Sequence, residues 1–220
     1  MYKKIILSLL LSIGSGVATA DVDPLILEKA SQGNALAQIS VGDMYNYGKG
    51  VPQDFQQAEI WYRKSAEQGN AVGQSKLGMM YDVGRGVPLD FVQAEYWIRK
   101  AAIQGNPLGQ NILAGMYTAG HGVTQDKTQA AYWHRKAAEQ GDANGQYNLA
   151  IMYYHGQGGL PKNEMAAYML LVLATSKSSF YDIKIATGWR NSLATQLPIK
   201  SLQKARSLAS QWKVGDSLSF

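Results

Sequence analysis

One period organises this chain and limits its fold more than any other property: Gly33-Asn34-Ala35 returns 36 residues later as Gly69-Asn70-Ala71, then as Gly105-Asn106-Pro107 and Gly141-Asp142-Ala143. Gln38, Gln74, Gln110 and Gln146 follow in register, as do Met44-Tyr45, Met80-Tyr81, Met116-Tyr117 and Met152-Tyr153. The second half of the unit repeats as Ala58 with Trp61, Ala94 with Trp97 and Ala130 with Trp133, each followed by an Arg-Lys pair at 63–64, 99–100 and 135–136. A unit this short buries no core alone, so its apolar face must be covered by the next copy.

Within a unit the signals describe two helices and a turn. The first helix runs from about Ala35 to Tyr47, with Asn34 to cap its free N–H groups, and Pro107 fits the first helical position of the third unit. Gly48 suits the left-handed residue that closes a helix, and Pro52 prevents re-entry. Asp54 with Gln57, Asp90 with Gln93 and Asp126 with Gln129 read as capping boxes at the start of the second helix.

The fourth unit is altered: an extra residue in Gly158-Gly159-Leu160 shifts its second helix by one, and Leu170 stands in place of Trp. Helical spacing continues from Phe180 to Leu197 and from Pro198 to Trp212. The predicted organisation is an all-α solenoid of stacked hairpins: a capping helix in 21–32, four units at 33–68, 69–104, 105–140 and 141–177, and capping helices in 178–220.

Ahead of these units, Lys3-Lys4, an apolar run from Ile5 to Leu11 and small residues ending in Ala18-Thr19-Ala20 have the three-part layout of a signal peptide. Residues 1–20 are therefore expected to be removed after Ala20, placing the protein in the periplasm or outside the cell. The alternative, an uncleaved anchor, needs an apolar stretch of roughly 20 residues, longer than this one. Cleavage removes two lysines and lowers the formal charge from +5 to +3, too small a bias to signal nucleic acid. Without any cysteine, neither disulfides nor thiol chemistry contributes.

The run Gly78-Met79-Met80-Tyr81, Gly84-Arg85-Gly86-Val87-Pro88, Ala94-Glu95-Tyr96-Trp97 and Arg99-Lys100-Ala101-Ala102 closely resembles the Sel-1-like repeat, a branch of the tetratricopeptide-like α/α solenoids. The resemblance covers roughly residues 33 to 177. It implies a right-handed superhelix that serves as an adaptor or scaffold. It also implies a choice of envelope roles: regulator, host-interaction factor, or immunity protein neutralising a phospholipase effector of type VI secretion. A cysteine-rich secreted branch is linked to penicillin binding, and the absence of cysteine here argues against that role.

No residue pattern indicates catalysis, a metal or a cofactor. His121, His134 and His155 each replace a different residue in the other units; there is no His-Glu-x-x-His pair and no nucleophile elbow. An enzyme or ligand-binding protein built from scattered residues is the alternative class. The recurring Gly-x-Gly turns, as at Gly48-Lys49-Gly50, follow from backbone geometry rather than phosphate binding. The Trp and Tyr series reads as core beside small Ala, not as a stacking platform. The Arg-Lys pairs complement the helix dipole, or form a basic stripe for an acidic partner or lipid headgroups.

A protein partner is expected instead, on positions the units do not share. These offsets lie three or four apart along the first helix and form one stripe. Stacking brings Leu36, Ile39 and Asp43 beside Val72, Lys76 and Met79, then Leu108, Asn111 and Ile112, then Tyr147, Asn148 and Ile151. The predicted concave surface mixes apolar and polar groups. The alternative is that these residues pack between neighbouring hairpins.

Overall fold

A computed structural model describes residues 23–176, 183–218 and 220, so the expected signal peptide and the start of the segment from Phe180 lie outside the described residues. Among the described residues there are eleven helices and no strand. Helix α1 (Pro24–Ser31) precedes four hairpins. They pair α2 (Ala35–Tyr47) with α3 (Phe55–Glu67), α4 (Ala71–Val83) with α5 (Phe91–Ile103), α6 (Pro107–Ala119) with α7 (Lys127–Glu139), and α8 (Ala143–His155) with α9 (Glu164–Thr175). Two further helices, α10 (Ile183–Gln196) and α11 (Ile199–Gln211), pack on α9.

The helix ends follow from the residues that flank them. Asn34 accepts from the Ala37 N–H at 2.9 Å, and Asp54 accepts from Gln56 and Gln57 N–H groups at 3.0 Å each. Gly48 ends α2 at φ 65° and ψ 32°, where a side chain would strain the backbone. The expected capping boxes are corrected: the Asp54 N–H donates to the Tyr45 carbonyl at 2.9 Å, as Asp90 does to Tyr81 and Asp126 to Tyr117. The returning chain is thus tied to the helix it has just left, and the Gln side chain three residues on is not needed for that donor.

The two helices of a hairpin pack through small residues opposite large ones, and large buried side chains then join one hairpin to the next. A Cβ at Gly42 would meet the Tyr62 ring at 2.5 Å, so only glycine lets α2 and α3 approach with that ring between them. Tyr62, Leu77, Met80 and Trp97 make one buried cluster, and Ile98, Leu113 and Met116 make the next. Trp97 is buried, while Trp61 and Trp133 are half-buried against neighbouring clusters. The shared glutamines stitch the stack: Gln74 donates to the Ala66 carbonyl at 3.2 Å and accepts from Gln104 at 2.7 Å. The same pair of bonds recurs at Gln38 and Gln110. Being buried, each amide would cost on the order of 1–3 kcal/mol if left without its partner.

The last cluster is the largest. Leu149, Leu170, Leu171 and Leu193 are buried there together with Ala205 and Leu218, so α10, α11 and the segment after them cover the apolar face of the fourth hairpin.

Candidate partner-binding face

The first helices contact one another across units, α2 with α4, α4 with α6 and α6 with α8, while no two second helices pack comparably. The first helices therefore form the inner wall. Along each of them the accessible positions run three or four residues apart: Leu36, Ser40, Asp43 and Tyr47 in α2, with Val72, Lys76, Met79 and Val83 as their counterparts in α4. Leu36 is 66% exposed and Val72 37%, and with half-buried Leu108 they make an apolar row crossing three units.

Two polar pairs lie on the stripe. Lys76 Nζ lies 2.7 Å from Asp43 Oδ1, and Tyr62 donates to the same oxygen at 2.6 Å. Burial first, and then the bond to Asp43, push the Tyr62 hydroxyl well above the usual phenol range. Two units on, Asn148 donates to Asn111 Oδ1 at 3.1 Å, and His134 Nδ1 lies 2.9 Å from that oxygen. Burial lowers the His134 pKa to about 4, so the ring is neutral and donates from Nδ1. Tyr62, Ile98 and His134 hold one position in the repeat, and Asp43, Met79 and Gly115 another. Polar neighbours thus coincide in the first unit and apolar ones in the second, which explains part of the variation along the stripe.

The twelve predicted residues fare differently. Leu36, Asp43, Val72, Lys76, Met79, Leu108, Ile112, Asn148 and Ile151 lie on the inner wall at exposed or half-buried positions. Ile39 does not reach the surface: it is 8% exposed, turned by its helical position into the packing between helices. Asn111 is half-buried and engaged with His134 and Asn148. Tyr147 packs edge-on against Trp189 of α10, with ring centroids 6.0 Å apart, so the closing helices cover it.

Sequence reasoning treated the Arg-Lys pairs as one feature, but the two members part company. Arg63 donates to Glu59 and to the Tyr81 hydroxyl at 2.7 and 2.6 Å, bridging one hairpin to the next. Arg99 repeats this with Glu95 and Tyr117. Burial alone would lower the Arg63 pKa; the bonds to Glu59 and Tyr81 outweigh it and raise the value. Lys64 instead lies outside, over the Trp61 ring at 4.1 Å. The i, i+4 spacing of Glu59 with Arg63 was a visible signal for the ion pair, whereas the hydroxyl 18 positions on was not.

Among the described residues no group of three or more His, Asp or Glu side chains is placed to hold a metal ion, and no helix is long and apolar enough to cross a membrane. An open depression of about 580 Å³ lies at the junction of the second and third hairpins, lined by Arg99, Tyr117, Val123, Gln125 and Asp126 among others.

The Sel1 repeat signature matches residues 35–70, 71–106, 107–142 and 143–179, well over half of the chain. The chain belongs to the Sel1 repeat family. A Sel1 repeat protein from Oxalobacter formigenes is similar at 29% identity and TM-score 0.70, over 84% of this chain and 74% of that one. A protective antigen of uropathogenic Escherichia coli with an SLR fold is similar at 28% identity and TM-score 0.51; the match covers 85% of this chain but only 55% of the antigen. An immunity protein from Pseudomonas aeruginosa shares the fold at 17% identity and TM-score 0.50, over 89% of this chain and 81% of its own. Among curated proteins, none matches the sequence. The Sel1 repeat fold is that of a scaffold for protein–protein interaction, and the geometry above is of that kind: stacked hairpins with their shared residues spent on packing.

Proposed function

We propose that this Sel1 repeat protein is an exported, non-enzymatic adaptor that grips a protein partner along its inner wall. The observation that carries the reading is the accessible apolar row of Leu36, Val72 and Leu108, flanked by Met79, Ile112 and Ile151, in a wall where Asp43 pairs with Lys76 and Asn111 with Asn148. A patch of this kind is what an interaction surface requires. Export rests on the leader layout ahead of Asp21. Within this reading the first candidate partner is a secreted phospholipase effector, with the chain as its immunity protein. It is one of the envelope roles that the family resemblance implies, and the likeness to the Pseudomonas immunity protein supports it at the level of fold alone.

The test is titration of the purified chain into a phospholipase effector of type VI secretion, reading lipid hydrolysis and binding heat together. Stoichiometric inhibition is expected, and Val72→Glu with Met79→Glu should abolish it while the helical circular dichroism stays at the parent's level. Binding that survives both changes would move the interface off the inner wall. Binding without inhibition would favour an envelope regulator or host-interaction factor.

A further inference from the structure

The segment after α11 is held at the junction of the third and fourth hairpins by side chains that read its main chain. Arg135 occupies the repeat position of Arg63 and Arg99, but Ala131 stands where those two have Glu59 and Glu95. Lacking that carboxylate, the Arg135 guanidinium donates to the Leu218 carbonyl and to the Tyr153 hydroxyl. The Leu218 N–H donates to Glu139 Oε1 at 3.2 Å, and the Gly215 N–H to the Glu139 carbonyl at 2.8 Å. The Leu218 side chain, 2% exposed, enters the apolar cluster, and the Phe220 ring meets Tyr153 edge-on with centroids 5.0 Å apart.

These contacts amount to a recognition site. One residue has its N–H and its C=O each held by a charged side chain, which gives strong hydrogen bonds without sequence demands, while a buried leucine and an edge-on aromatic supply the selectivity. The segment itself is neither helix nor strand there. One junction earlier, where Arg99 is engaged by Glu95, the corresponding surface around Arg99 and Tyr117 is the open depression.

We propose that the groove formed by Arg135, Glu139 and Tyr153 is a peptide-docking site, filled in cis by this trailing segment and taken in trans by an extended segment of a partner protein bearing a leucine two positions before an aromatic residue. A partner fits better than a second copy. Lys213 N–H donates to Asp216 Oδ2 at 2.8 Å and Trp212 Nε1–H to the Asp216 carbonyl at 3.2 Å, so a tight turn directs the segment into its own groove. Being tethered, the segment competes at an effective concentration in roughly the millimolar range, and keeps the apolar pocket covered until a stronger ligand arrives. This site is separate from the inner-wall reading and stands or falls independently of it.

The probe is the peptide Val-Gly-Asp-Ser-Leu-Ser-Phe, copied from residues 214–220. In the full chain, millimolar peptide should speed hydrogen exchange at the Gly215 and Leu218 amides several-fold, and a peptide with Asp for the leucine should not. In the full-length Leu218→Asp variant, whose own segment is evicted, labelled peptide should bind at least about ten-fold more tightly than to the parent. Adding Arg135→Gln should remove that gain. Unchanged exchange together with no gain in Leu218→Asp would overturn the proposal and make the segment a fixed part of the fold. A parent dimer that Leu218→Asp dissolves would assign the groove to a second copy and overturn the partner assignment. If Leu218→Asp loses its helical signal, the exchange measurement on the parent decides alone.

Discussion

The junction between the first and second hairpins and the junction between the third and fourth are built on one frame and finished differently. In both, an arginine on a second helix reaches the tyrosine of the next first helix, Arg63 to Tyr81 and Arg135 to Tyr153. At the first, Glu59 occupies the rest of the guanidinium; at the last, the chain has Ala131, and the freed donor takes the main chain of the trailing segment. The position of Tyr62 and Ile98 is likewise given to His134. A repeat can thus keep its packing while one substitution frees a junction's arginine to hold the main chain of the trailing segment.

The contrast breaks most directly in the middle of the stack. Trp97 is buried between units, so Trp97→Ala should cost on the order of 3–5 kcal/mol in urea unfolding. Parent-like stability would mean that the internal junctions do not carry the fold.

The next effect separates the junctions by pH. His134 titrates near pH 4 when folded and near 6.5 when unfolded, so between those values the unfolded chain binds the extra proton. Stability should fall as pH drops from about 6.5 to about 4, by roughly 3 kcal/mol in all, and no further on this account. His134→Ile, which copies the second unit, should remove that slope; an undiminished slope would place the titrating group elsewhere.

Leu218→Ala should cost about 2 kcal/mol, at the low end for a buried leucine, because the segment can lift away and let the site rehydrate instead of leaving a closed cavity. Hydrogen exchange should rise at residues 213–218 and stay flat in α2 to α5. A loss spread evenly over all four hairpins would erase the distinction between the junctions.

The smallest effect is at the inner wall of the first junction. A double-mutant cycle on Asp43→Asn and Lys76→Met should return a coupling of about 0.2–1 kcal/mol, since the Asp43 side chain is 34% exposed. Coupling near zero would leave the pair free to engage a partner.

The sequence by itself determined the period, the pairing of helices into hairpins, the Asn and Asp N-caps and the glycines that close the first helices, because each rests on local backbone chemistry repeated in register. Asn34, Asp54 and Gly48 act on groups within a few residues of themselves, and any chain with those residues in that order meets the same constraints. The shared Gln38, Gln74 and Gln110 were visible as a series, but their task was not: the accepting Ala carbonyl lies eight residues back, and the donating Gln 30 residues on. Only stacking brings them together. The same reason divided the predicted face, since helical spacing places Ile39 and Leu36 on neighbouring sides of one helix, and only the approach of adjacent helices decides that Ile39 is covered while Leu36 is not. The groove that holds Leu218 was beyond the sequence altogether: 83 residues separate it from Arg135, and the substitution that frees Arg135 becomes meaningful only where α11 turns the chain back onto α7.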